Sequence, residues 1–147
     1  MWFLPIDILK IKSNLSVDAM CAMLLDVIDV NGYAVIRMAP PPNHKPYRGT
    51  FDARNFTIMR WIHYKNPFLP LIMGKVVEEK EVGIVRIFMI PNPVGLIVWL
   101  IVLSLPFSWF DQRALQFAAM FFIYVFVLLV YKAEAIFSMD FFKGMFK

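Results

Sequence analysis

Between Arg86 and Asp111 the chain carries no formal charge, and after the short polar break Asp111-Gln112-Arg113 a second uncharged run extends from Ala114 to Tyr131. The core of the first run, Val94 to Leu105, is apolar on every side of a helix, and the second has Gln116 as its only strongly polar side chain. A helix that is apolar all round has no face for water. A bilayer core about 30 Å thick takes roughly 20 such residues at about 1.5 Å each. The pattern therefore predicts a transmembrane helical hairpin over residues 91–131. A soluble core pair is the alternative, but 147 residues that are 60% hydrophobic leave too little chain to wrap two such helices.

The first span has a readable start, with Asn92 as N-cap and Pro93 at the first helical position, where its missing N–H costs nothing. Pro106 either stops this helix after about 13 residues or kinks it, in which case it continues to Phe110 over about 18 residues. Ser108 and Asp111 have the spacing of a capping box for the second helix. Gln116 is expected to bond Ser104 or Ser108 across the pair. Lys75, Lys80 and Arg86 precede the spans and Lys132, Lys143 and Lys147 follow them, whereas the connection holds Arg113 alone. Positive charge stays on the inner side, so the reading is a multi-pass inner-membrane protein with both termini cytoplasmic.

The first ninety residues are patterned for a water-facing module. Leu4 to Lys12 alternates as a strand. Ser16 then caps a helix in which Val17, Met20, Cys21, Leu24, Val27 and Ile28 recur at helical spacing up to Asn31-Gly32. Tyr33 to Met38 reads as a short strand before the stiff loop Pro40 to Pro46. From Tyr47 the period changes to two, and turns at Asp52–Asn55, Lys65–Pro67 and Glu79–Gly83 divide the chain into four strands ending at Ile90. Large apolar residues stand on both faces of these strands, so two covers are needed, one by the first helix and one by the tail. Beyond Lys132, Ala135, Ile136, Met139, Phe142, Met145 and Phe146 again recur at helical spacing. The tail is read as folding back on the sheet, with the headgroup surface as the alternative. The expected fold is α+β: an antiparallel β-meander with one N-terminal helix in residues 1–90, the hairpin over 91–131 and an amphipathic C-terminal helix over 132–147.

The segment Arg60-Trp-Ile-His-Tyr-Lys-Asn-Pro-Phe-Leu-Pro-Leu-Ile-Met-Gly-Lys75 and the tail start Lys132-Ala-Glu-Ala135 resemble a broad group of small uncharacterised bacterial membrane proteins. That group shares an Arg-x-Ile-x-Tyr-Arg-Asn-Ser-Phe-Leu-Pro-x-Ile-x-Gly type of segment, from which Lys65 and Pro67 depart. The resemblance implies a cytoplasmic module followed by apolar helices, and it implies no activity.

The net charge of +4 is spread thinly with both signs interspersed, too weak to argue for nucleic acid, so no nucleic-acid partner is expected. The lone Cys21 excludes an intrachain disulfide and fits a reducing compartment; on the buried helix face it is a small core hydrophobe. The opening Met1 to Asp7 has neither a basic start nor a long apolar core, so no signal peptide is expected. His44 and His63 are the only imidazoles, and no Cys/His/carboxylate cluster has metal-ligand spacing, so no metal or cofactor is expected. Glu78, Glu79 and Glu81 crowd a hairpin tip, where solvated carboxylates are the default. Arg48, Arg54, Arg60, His63 and Lys65, interleaved with Trp61, Tyr64 and Phe68, form a candidate lipid or partner surface. The functional reading is a non-enzymatic membrane protein acting through the lipid bilayer or a protein partner. Its alternatives are an immunity protein against a toxin and a lipid-modifying enzyme using Glu78, Glu79 or His63.

Overall fold

The computed structural model describes residues 3–30, 45–62, 66, 68–79, 82–104 and 113–147, with the backbone alone at 99, 102 and 103. In chain order these form β1 (Asp7–Ser13), α1 (Val17–Val27), β2 (Ile28–Asp29), β3 (Tyr47–Asp52), β4 (Asn55–Arg60), β5 (Pro70–Glu79), β6 (Val82–Pro91), α2 (Pro93–Ser104) and α3 (Arg113–Met145). The expected strand over 33–38 and most of the proline loop lie outside the described residues.

Ser16 caps α1, its hydroxyl accepting from the Ala19 N–H at 3.3 Å, and Met20 and Leu24 on its inner face are fully buried. The helix gives way at Val27, ahead of the Asn31-Gly32 signal, because Ile28 and Asp29 turn extended and pair in parallel with Tyr47 and Arg48 of β3. Backbone groups paired in a sheet outcompete one more helical turn when the side chain they carry, here Ile28, is buried by the exchange.

The sheet has six strands in the order β1-β6-β5-β4-β3-β2. β3 to β6 run antiparallel as neighbours, and β1 closes on β6 from Asp7↔Met89 to Ser13↔Gly83. The module is thus a mixed sheet rather than a pure meander.

One face carries the core. Ile11, Val85, Ile87, Met89, Ile72, Val76, Ile58 and Phe56 are buried there, and both α1 and α3 pack on it. Gly83 sits under the Met20 sulfur of α1, while Phe142 of α3 lies 5.2 Å from the Tyr47 ring and 6.4 Å from Phe56, ring centre to ring centre. Gly74 is needed at its place because a Cβ would fall within 2.1 Å of the Phe56 ring. The two helices therefore share one cover instead of taking a face each, and among the described residues no helix covers the other face of the sheet, on which Ile8 and Phe88 are exposed.

The helical region corrects the expected two-helix hairpin. α2 has 12 residues and ends at Ser104, about 18 Å of helix and too short to cross a bilayer. α3 has 33 residues and runs without a break through the expected boundary at Tyr131–Lys132, so the second apolar run and the tail are one helix. Among the described residues, α3 alone is long and apolar enough to cross a membrane. The described residues therefore do not support a two-span, multi-pass arrangement. The first member of the expected hairpin fails because α2 is short, and the expected division of the second run and the tail into two helices at Lys132 is wrong. Lys, Ala, Glu and Ala are all good helix formers, and nothing between 131 and 135 breaks a helix.

Candidate membrane-contact site

The C-terminal half of α3 is held by the sheet and the N-terminal half is not. Tyr131, Ala135, Phe142 and Phe146 are at most 1% exposed. Fully burying side chains of this size contributes about 1.5–3 kcal/mol each for the larger ones. Toward the N-terminus the same helix presents Phe117, Phe121, Phe122, Phe126 and Leu129 to the outside, and α2 beside it presents Val94, Ile97, Leu100 and Ile101. Only 6% of the most apolar 18-residue stretch of α3 is buried. The core helix of a water-soluble protein would be mostly buried, because exposed area of this kind costs about 25 cal/mol per Å² in water. The class that this fold and surface define is an α+β module from which an unburied apolar helix pair projects, one helix of it long enough to cross a membrane.

The direction of projection is fixed by contacts. Tyr131 donates to the Met89 carbonyl at 2.9 Å, Lys132 pairs with Asp7, and Phe146 lies by Ile11 to Asn14 at the far end of β1. α3 therefore runs parallel to β1, and residues 113–130 extend past the sheet end formed by Asp7, Met89 and Pro91. α2 leaves from that same end. Its start is as the sequence reads: the Asn92 side chain accepts from the Gly95 N–H at 2.9 Å, with Pro93 in the first turn. The exposed residues Phe3, Leu4 and Ile6 line the same junction, where the Tyr124 hydroxyl donates to the Phe3 carbonyl.

Where the helix leaves the sheet, two ion pairs clamp it from opposite flanks. Lys132 Nζ meets Asp7 Oδ1 on β1 at 2.8 Å, and Glu134 Oε2 accepts from Arg60 of β4 at 2.6 Å. Asn66 donates a further hydrogen bond to Glu134, at 3.1 Å, and its own Oδ1 accepts from the Phe68 N–H. Arg60 also lies 4.2 Å over the Phe137 ring. Lys132 and Glu134 are two of only a few buried polar side chains. Sequence reasoning did not assign them. Their signal was position, as the first charges after an uncharged run of eighteen residues.

The candidate surface residues separate. Arg60 turns inward to Glu134. Arg48 stacks 4.4 Å over the buried Trp61 ring, and the Trp61 backbone N–H donates to the Pro46 carbonyl at 2.8 Å. Arg54 is exposed at the β3–β4 turn near the start of α1, and Phe68 faces the junction between sheet and helices. His63 and Lys65 lie outside the described residues. Of the intramembrane set, Ser104 donates to the Ile101 carbonyl at 2.6 Å within its own helix, Gln116 is half-buried on α3, and Ser108 lies outside the described residues. Among the candidate catalytic carboxylates, Glu79 takes both Lys10 and Arg86, and the hydrogen bond from Lys10 followed by that from Arg86 holds its carboxyl below the usual range. Glu78 is exposed, and Glu81 and His63 are outside the described residues. Among the described residues no group of three or more His, Cys, Asp or Glu side chains converges as a metal site.

No family model, no curated protein and no solved structure matches this chain.

Proposed function

We propose that the protein is a membrane-anchored, non-catalytic module that works by contact with lipid or a protein partner. The apolar half of α3 enters the bilayer, and the shorter α2 lies against it and reaches part of the way. The observation that carries this reading is the run of unburied phenylalanines from Phe117 to Phe126, continuous with a helix whose other half is locked into the core. Charge supports the orientation. Lys10, Lys12, Lys75, Arg86, Lys132 and Lys143 all belong to the sheet side, whereas Arg113 stands at the far end of α3. This distribution supports a module on the cytoplasmic side of the inner membrane.

The test is fractionation of cells expressing the full chain. The protein should sediment with membranes and stay there through alkaline carbonate, being released by detergent. Recovery in the soluble fraction of a detergent-free lysate would end the proposal.

A further inference from the structure

We infer that the open face of the sheet is a second lipid-contacting surface, whose lower rim rests at the acyl boundary of an anionic phospholipid bilayer and whose basic row sits among the phosphates. The inference rests on the anchoring proposed above and adds to it a surface, a depth and a lipid class.

The register across three strands carries the argument. On the open face, counting away from the end where α2 and α3 project, the first row is Ile90↔Leu71 and the second is Ile8↔Phe88↔Met73. The third is Lys10↔Arg86↔Lys75. Rows are two residues apart along a strand, about 7 Å. β1 and β5 run away from the helix end and β6 runs toward it, so the sequence order is reversed in β6. Yet all three put apolar residues nearest the helices and the cation beyond. The fourth row, Lys12↔Ile84↔Val77, keeps a cation on β1 and returns to apolar residues on β6 and β5, with Ile84 2% exposed, so the grading belongs to the three rows nearest the helices. Here Ile8 is 77% exposed and Phe88 37%.

The charge row is equally unlike a neutral surface. Like charges placed directly opposite on neighbouring strands repel. Lys10 and Arg86 are opposite, and so are Arg86 and Lys75. Glu79 bridges Lys10 and Arg86, leaving Lys75 and the next residue along β1 on this face, Lys12, as further cations. Asp52, at the far side of the sheet, stands in the same row. Lys10, Lys12, Glu79, Val82 and Ile84 line an open depression of about 560 Å³ beside the row. Anionic headgroups neutralise such a row, and each basic residue near the surface adds about 1 kcal/mol of attraction. The apolar rows are continuous with the junction residues Phe3, Leu4 and Ile6, so one bilayer surface would meet both.

The experiment uses the full chain in Cys21→Ser background, reconstituted in phosphatidylcholine vesicles with or without phosphatidylglycerol. An environment-sensitive fluorophore is placed at Ile8→Cys, Phe122→Cys or Glu78→Cys, and quenching by nitroxide lipids of known depth is read. With phosphatidylglycerol present, the label at 8 should be quenched best by a shallow nitroxide and the label at 122 by a deep one. The label at 78 should be quenched by neither. Lys10→Glu with Lys75→Glu, or omission of phosphatidylglycerol, should reduce quenching at 8 at least twofold while leaving 122 unchanged. Quenching at 122 without quenching at 8 overturns this inference and leaves the anchoring intact; loss of both overturns the anchoring as well. A label at 8 shielded from lipid nitroxide and from aqueous iodide alike would show a protein covering the face, and quenching at 8 indifferent to phosphatidylglycerol would remove the lipid class. Either result overturns the inference.

Discussion

Replacing Lys132 by Met should unfasten α3 from the sheet. Lys132 is 5% exposed and its ammonium is bonded to Asp7 at 2.8 Å and to the Ile6 carbonyl at 3.5 Å. Asp7 Oδ2 is already buried without a hydrogen-bond partner, so removing the cation strands the whole carboxylate. Breaking a buried pair from one side costs about 3–5 kcal/mol, and the partial exposure of Asp7 places this site at the low end, about 3 kcal/mol. That is roughly a 150-fold drop in the folding constant. The double variant Lys132→Met with Asp7→Leu replaces both charges by apolar groups and should return to within about 1 kcal/mol of the parent, a coupling of about 2 kcal/mol or more. Lys143→Met is the control on the same helix. Its pair with Asp140 is exposed and 3.6 Å long, so its loss should cost about 0–1 kcal/mol. Urea titration of the parent, Lys132→Met, Asp7→Leu, the double variant and Lys143→Met in a mild non-ionic detergent, followed by circular dichroism and tryptophan fluorescence, gives all five values. If Lys132→Met is no worse than Lys143→Met, or if the double variant costs the sum of its singles, the clamp is not what holds the helix.

Gly74→Ala should destabilise by about 1–3 kcal/mol through overpacking against the Phe56 ring, and Gly74→Ala with Phe56→Leu should recover part of that loss in the same titration. Burial pushes the Tyr47 hydroxyl up to about 12 from its ordinary 10, so its neutral form is favoured by folding. That contribution is complete below pH about 10 and is lost as pH rises toward about 12; it amounts to about 3 kcal/mol and should vanish from the pH profile of Tyr47→Phe. Because that hydroxyl lacks a partner of good geometry, Tyr47→Phe at neutral pH should cost less than about 1 kcal/mol, and a larger loss would show a bond there. Burial also raises the Cys21 thiol, so alkylation at pH 8 should be several-fold slower than for a free thiol and should recover in denaturant.

What the sequence displays depends on how local the physics is. The Ser16 cap, the β3 to β6 strands and the Asn92-Pro93 helix start are each set by side chains within a few residues, and each is found where the pattern puts it. Three features depend on distant partners and were not visible. Ile28 leaves its helix to pair with Tyr47, Arg60 turns inward because Glu134 arrives above it, and α1 and α3 crowd onto one face. Arg60 is instructive, since in a strand flanked by Trp61 and Met59 its period-two place is on the core side. Alternation gives it the same face as Ile58 and Phe56, whereas its charge set it among the candidate surface residues. The Lys132-Ala-Glu-Ala135 segment was noticed as a tail start, and Arg60 and Asn66 as part of a shared segment; in the fold these two pieces of sequence meet at one carboxylate.

The continuity of α3 decides how the two halves of the molecule communicate. A break at Lys132 would have joined the apolar segment to the module by a hinge, and any motion in lipid would be lost there. One unbroken helix, clamped on both flanks at the turn where it leaves the sheet, behaves instead as a rod set in a socket. A tilt of the apolar half must then rotate the sheet with it, through the Phe142 and Tyr131 contacts. The open face and its basic row would swing toward or away from the headgroups by the same angle. On the anchoring proposed above, Arg60, Lys132, Asp7 and Glu134 are the residues that would carry a tilt of the apolar half into the module.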